Sequence, residues 1–197
     1  MNKPTAPDPY RFSLAKLQMG RRVFISSQAH VSGSVVLGDD VSVWPMAVIR
    51  GDVNRIAIGR RSNIQDNAVL HVTHAGPFSP AGGALTLGDD ITVGHGAILH
   101  ACTIGHRCLI GMGAIVLDGA VVQSDAMVAA GAVITPRTIV PSGTLWQGNP
   151  ARLARPLKDE ELALLAYSAR HYVQLKERCL QRCASDSAPQ PSAGGAV

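Results

Sequence analysis

Aromatic side chains are nearly missing from this chain of 197 residues: three Phe, three Tyr and two Trp make up 4% of it, while 46% is hydrophobic and 20 residues are glycine. A core of ordinary thickness takes much of its buried area from aromatic rings, so a globule of that kind is excluded. Val, Ile, Leu and Ala are left to build the interior, which suits thin stacked layers in one domain burying roughly 70% of the unfolded surface. Long apolar runs are lacking too. No stretch approaches the ~20 residues of a membrane span, and residues 1–10 are polar with no apolar segment behind them, so neither a membrane helix nor a secretory signal is expected. The four cysteines, Cys102, Cys108, Cys179 and Cys183, form no CxxC pair; reduced thiols and a cytoplasmic location are expected. The net charge is +4, but the densest basic runs, Arg21-Arg22 and Arg60-Arg61, carry no interleaved aromatics, and nucleic-acid binding is not expected.

The chain does contain a repeat. From Ile104 an aliphatic residue recurs at every sixth position through Ile110, Val116, Val122, Val128, Ile134 and Val140, ending at Trp146. Four places after each anchor stands a small or β-branched residue such as Cys108, Ala114, Ala120 or Ala126. The same register runs through Ile25, Val31, Leu37, Val43 and Ile49, through Ile58, Ile64 and Leu70, and through Leu87, Val93 and Leu99. Anchor and anchor-plus-four lie an even number of residues apart, so both face inward on short strands. Gly38-Asp39-Asp40 and Gly88-Asp89-Asp90 supply the sharp corners between them. One such side buries nothing alone; stacked coils close the core.

The motif Leu37-Gly38-Asp39-Asp40-Val41-Ser42 resembles the hexapeptide-repeat proteins. That resemblance implies an all-β fold, a single-stranded left-handed parallel β-helix over residues 23–150 with three hexapeptides per coil. An N-terminal extended segment is expected over 1–22. Beyond Pro156 the pattern turns helical: Leu162, Leu165, Ala166, Ala169, Tyr172 and Val173 mark one face of a helix over 157–180, with Asp159, Glu160 and Glu161 at its start where the dipole favours anions. Residues 184–197, rich in Ala, Ser, Pro and Gly, are expected to be a disordered tail.

The repeat breaks in three places, between Ile49 and Ile58, between Leu70 and Leu87, and between Leu99 and Ile104. If Ile58, Ile64 and Leu70 form one coil and Leu87, Val93 and Leu99 the next, Leu70 lies against Leu99. His71 and His100, each following its anchor, then stand about 4.8 Å apart on one edge, a natural pair of metal ligands. His95, two residues past Val93, lies on a different side of its coil and reaches such a pair only from a neighbouring copy, which a threefold assembly permits. His30, His74, His106 and His171 need no reading beyond ordinary surface histidines.

Ile49-Arg50-Gly51-Asp52, Asn63-Ile64-Gln65-Asp66-Asn67, Leu70-His71, Gly94-His95 and Leu99-His100 together resemble the γ-class carbonic anhydrases, most closely a short bacterial branch without long acidic loops. The resemblance implies His71 and His100 as metal ligands from one subunit and His95 as the third from the next, in a homotrimer with metal at each interface. It implies Arg50 and Asp52 as an interfacial ion pair with Arg50 near bicarbonate, Gln65 as the hydrogen-bonding partner of metal-bound solvent, and Asn63 behind it. Zn²⁺ is the expected ion, with Fe²⁺ or Co²⁺ also acceptable to three imidazoles. Such a site lowers the pKa of bound water to about 7, and the hydroxide attacks CO₂ to give bicarbonate. Two departures stand out: Ala75–Ala84 carries no acidic residue, and Val53 occupies a position where a glutamate is expected. Proton transfer must then use another group, and His74 is the candidate. Two other readings stay open: a CoA-dependent acyltransferase, and a non-catalytic trimer that keeps the metal for assembly.

Overall fold

The computed structural model describes residues 17–186. The chain winds as a parallel solenoid. On one face the strands Phe24–Ile25, Ser42–Val43, Asn63–Ile64, Thr92–Val93, Leu109–Ile110, Met127–Val128 and Thr144–Gly148 stack in that order, every neighbouring pair parallel. The other strands join one larger sheet that wraps the remaining sides. Anchors and anchor-plus-four residues both point inward, as alternation requires: Leu37 and Val41, Ile110 and Ala114, Val122 and Ala126 are all buried. The core is a column of aliphatic side chains with alanine beneath them.

Corners follow the local chemistry. The turning residue has a positive φ at Asp40, Arg61, Asn67 and Asp90, in the left-handed region where Asp and Asn are tolerated. One edge is a ladder of alternating charge. Arg21 bonds Asp39, Arg22 bonds Asp40, Arg60 bonds Asp89, Arg61 bonds Asp90 and Arg107 bonds Asp125, each pair bridging successive coils. A slip by one coil sets like charges against each other, so the ladder favours the observed register.

The first break in the repeat proves to be continuous strand. His30–Leu37 pairs with Val48–Ile58 along a register that shifts between Gly33 and Val35. Gly33 has φ 81, and a Cβ there would lie 2.2 Å from the Gly51 carbonyl oxygen; only glycine permits that approach. Asp52 follows the bulge and bonds His71 on the same edge.

The solenoid starts earlier than expected. Gln18–Met19 already pairs with Val36-Leu37, so residues 18–19 of the predicted extended segment are a rung, while residues 1–16 lie outside the described part. After Thr144–Gly148 the chain doubles back as the antiparallel strand Ala151–Pro156. The helix runs Asp159–Asp186, past the expected end at 180 and through the first residues of the predicted tail; nothing in the sequence breaks it before Pro189. The rest of that tail, 187–197, lies outside the described residues. The helix packs on the upper rungs of the first face through Leu165 and Ala169, with Tyr172 edge-on to Trp44, while Leu162, expected on that face, is exposed. Lys176 is fully buried beneath it, its Nζ bonded to Asp40 at 2.9 Å and Glu177 at 2.7 Å.

Candidate metal centre

Strand pairing sets Leu70 beside Leu99 and His71 beside His100. The two imidazoles lie with ring centroids 5.1 Å apart, and His71 Nδ1 faces His100 Nε2 at 3.1 Å. The outer nitrogen of each ring meets a carboxylate: His71 Nε2 lies 2.9 Å from Asp52, and His100 Nδ1 lies 2.6 Å from Asp118. An ionised carboxylate only accepts, so both outer nitrogens carry N–H. A neutral imidazole has a single N–H. The facing nitrogens therefore present lone pairs to each other, an arrangement that calls for a cation between them, whether a proton or a metal. Two Zn–N bonds of about 2.05 Å at the tetrahedral angle hold nitrogens roughly 3.3 Å apart, close to the observed spacing. The donor set fits a divalent ion.

His95 repeats the pattern on another edge. It forms the corner between Gly94 and Gly96, is about half exposed, and its Nδ1 lies 2.9 Å from Asp66. Each of the three candidate ligands thus has one nitrogen held by a carboxylate and the other left to bind, the usual outer arrangement of metal-ligating histidines. Histidines outside the set are held otherwise: His106 accepts from the Asp89 amide, and His171 stacks on Tyr167. Among the described residues of a single chain, no group of three or more His, Cys, Asp or Glu side chains is placed to hold a metal. His95 does not complete the pair within its own chain.

The supporting charges are well held. Burial acts to raise the Asp52 carboxyl, but hydrogen bonds from His71 and Arg50 and the Arg50 charge outweigh it, and its pKa falls below the usual value. Asp118 behaves alike: burial raises it, the bonds from Thr73 and His100 lower it, and the net shift is downward. Arg50 bonds Asp52 within one chain, and Asp52 uses its other oxygen to orient His71. Val53, beside it, is exposed.

Gln65 and Asn63 sit on the helix-bearing face. Gln65 Nε2 donates to Asn63 Oδ1 at 3.0 Å; Asn63 Nδ2 donates to Thr92 Oγ1 at 3.1 Å, and Thr92 meets Ser168 of the helix at 2.9 Å. Both amides are buried. Gln65 and His95 line one groove of about 360 Å³ with Leu109, Met112, Met127 and Leu145. The structure therefore separates the sequence-derived residues into two groups, Arg50, Asp52, His71 and His100 on one edge, and Asn63, Gln65 and His95 around another. His74 is exposed on the loop after His71, beside Gly76 and Phe78. The Cys102 side chain is buried in the core, where desolvation pushes its thiol up to about 12.

Sequence reasoning missed Asp118, Thr73 and Asp66. Asp118 and Asp66 occupy corner positions, where the repeat places aspartates for turning alone, so spacing gave no signal. Thr73 reads as a loop residue; its hydroxyl donates to Asp118 from the start of the insertion.

Comparison with known proteins bears on this geometry. Residues 101–136 match the model for the bacterial transferase hexapeptide (six repeats). Over 165 residues, 84% of this chain and 90% of the relative, the sequence is 50% identical to protein YrdA of Escherichia coli. It is 43% identical to a probable carbonic anhydrase of Methanocaldococcus jannaschii over 81% of this chain and 96% of that protein. Gamma carbonic anhydrase 2, mitochondrial, of Arabidopsis thaliana is 44% identical over 79% of this chain and 55% of its own length. Among solved structures, a hexapeptide transferase family protein from Anaplasma phagocytophilum superimposes with a TM-score of 0.76 at 40% identity over 82% of this chain and 91% of that one. A putative acetyltransferase from Bacillus cereus gives 0.77 at 37% over 82% and 90%. The solenoid is the left-handed β-helix of hexapeptide proteins. The chain belongs to the γ-carbonic-anhydrase-like hexapeptide-repeat family, the family of YrdA.

Proposed function

We propose that this chain is a metal-dependent enzyme of the γ-carbonic anhydrase type that hydrates CO₂ reversibly, assembled as a homotrimer with one metal shared at each interface. The observation that carries the reading is the proton inventory of the histidines: two ring nitrogens face each other at 3.1 Å with both outer N–H groups bound to carboxylates. His71 and His100 would hold the ion from one chain and His95 from the next. Zn²⁺ suits the donors, and Fe²⁺ or Co²⁺ would be accepted by the same imidazoles. An ion so held supplies a Lewis acid with an open position that activates water near neutral pH.

The chain's own residues do the rest. Asp52, Asp118 and Asp66 fix the tautomer of each imidazole. Arg50 holds Asp52 ionised and offers its remaining N–H groups to an anion such as bicarbonate. Gln65, held by Asn63, presents an amide that orients solvent without titrating at any working pH. With no carboxylate in the loop after His71 and Val53 in place of an acid, His74 is the group on that loop able to carry protons to buffer. These losses predict modest turnover.

The test is metal content and CO₂ hydration by stopped flow on protein purified without oxygen. About one metal per chain and hydration above buffer, both lost in His95→Ala, is expected. His74→Ala is expected to slow hydration at low buffer concentration and to be rescued by added imidazole buffer. Stoichiometric metal with no hydration at any loading favours the non-catalytic trimer, and acyl-CoA binding without metal favours the acyltransferase.

A further inference from the structure

The insertion between His71 and Leu85 is a built hairpin with an aromatic tip. Thr73 pairs with Gly83, and Gly76 and Ser79 exchange both backbone hydrogen bonds across a two-residue turn, Pro77-Phe78. Thr73 is anchored further by its hydroxyl on Asp118 and by its carbonyl accepting from Asn54. Phe78 is entirely exposed at the tip. An ordered hairpin that holds a phenyl ring in water gains nothing within its own chain.

A receptor for such a ring lies on the same molecule, around another edge. The groove of about 360 Å³ that carries Gln65 and His95 is otherwise lined by Leu109, Met112, Met127 and Leu145, and Met112 is well exposed. If one ion joins His71 and His100 of one copy to His95 of the next, metal–nitrogen bonds of about 2.0–2.1 Å bring that edge against the groove wall. The hairpin springs from the same edge, two residues past His71. Phe78 lies five positions past Thr73, an extended reach of up to ~16 Å, and the groove descends from His95 at ~4.8 Å per rung. The tip reaches it. Methionines adapt to an aromatic ring and contact it favourably, and a preordered turn loses little freedom on docking.

We propose that Phe78 of one copy seats in the apolar groove beside His95 of the next, closing the shared site on its solvent side. This inference rests on the shared-metal reading above. It assigns the acid-free loop a role of shielding and subunit contact.

The test uses the full chain loaded with metal, with p-benzoylphenylalanine placed at position 78 and the assembly measured by light scattering before illumination. Expected is a covalent dimer whose adduct maps to the peptides holding Met112 or Met127 of a different chain. In Phe78→Ser the trimer and its metal persist, but a chelator strips the metal about tenfold faster, the loss typical of one buried interface anchor. A metal-bearing trimer whose adducts fall only elsewhere, with stripping unchanged in Phe78→Ser, overturns the Phe78 seat and leaves the shared site standing. A chain found solitary and metal-free overturns both.

Discussion

Asp118→Asn separates the metal-site reading from a merely structural one. Asp118 accepts from His100 Nδ1–H at 2.6 Å with one oxygen and from the Thr73 hydroxyl with the other. An amide has one acceptor where the carboxylate has two. If its NH₂ faces His100, the ring must accept at Nδ1 and carry its proton on Nε2, where it blocks a metal. If its oxygen faces His100, the bond survives but loses the charge that made it about twice as strong. Either way the outer support of one ligand fails, which typically costs 10–100-fold in metal affinity, or about 1.4–2.7 kcal/mol. The fold itself loses little. The carboxylate is 45% exposed, and the hydrogen bonds weakened contribute about 1 kcal/mol in sum. Competition with a chelator of known affinity, near neutral pH and under nitrogen, reads the first quantity; urea unfolding of the metal-free chain reads the second. One to two decades lost in affinity are expected beside a nearly unchanged unfolding midpoint. An affinity within about threefold of the parent, or a loss matched by the same loss of stability in the metal-free chain, refutes the metal-site reading.

Acid should act on the same carboxylates. Asp52 and Asp118 have depressed pKa values in the folded chain, so each contributes stability that is fully present above the unfolded aspartate value near ~3.9 and vanishes as pH falls through its folded value. Urea midpoints should therefore fall as pH drops below about 4, and fall less in Asp118→Asn; parallel losses in both proteins would show that Asp118 takes no part. Lys176→Ala should be severe. Removing one partner of a buried ion pair costs about 3–5 kcal/mol, and because Asp40 keeps Arg22 the lower end is expected, a fall of roughly 6–12 °C in Tm. A change under about 1 kcal/mol would mean that water reaches the buried ammonium.

The rungs were legible because six-residue spacing fixes them. Leu70 beside Leu99 and His71 beside His100 follow from counting anchors, and the strand pairings agree. Register alone brought His95 to the pair only from a neighbouring copy, and resemblance to a known family made it the third ligand, since its groove and its Asp66 contact carry no periodic mark. What stayed hidden lay in the corners. Asp118 is one more aspartate among Asp39, Asp40, Asp89, Asp90 and Asp125, and only coordinates distinguish an acid that holds an arginine from one that holds an imidazole. The Gly33–Gly51 bulge likewise read as an interruption, because anchor counting cannot see a strand that bends and stays paired. The helix end was misplaced for a simpler reason: helix-compatible residues continue beyond Leu180 without any stop signal.

If each site draws two imidazoles from one chain and one from another, subunit mixing reveals it. His95→Ala leaves His71 and His100 intact, whereas His100→Ala leaves His95 intact; neither protein alone can complete a site. Unfolded together and refolded as a 1:1 mixture, three-quarters of random trimers are mixed, and each mixed trimer contains one complete site, about a quarter of the parent's metal content. Metal measured in the mixture at about that level, and in neither variant alone, is the predicted result. A mixture as empty as its components, or either variant holding a full complement by itself, would show that no site is shared between chains.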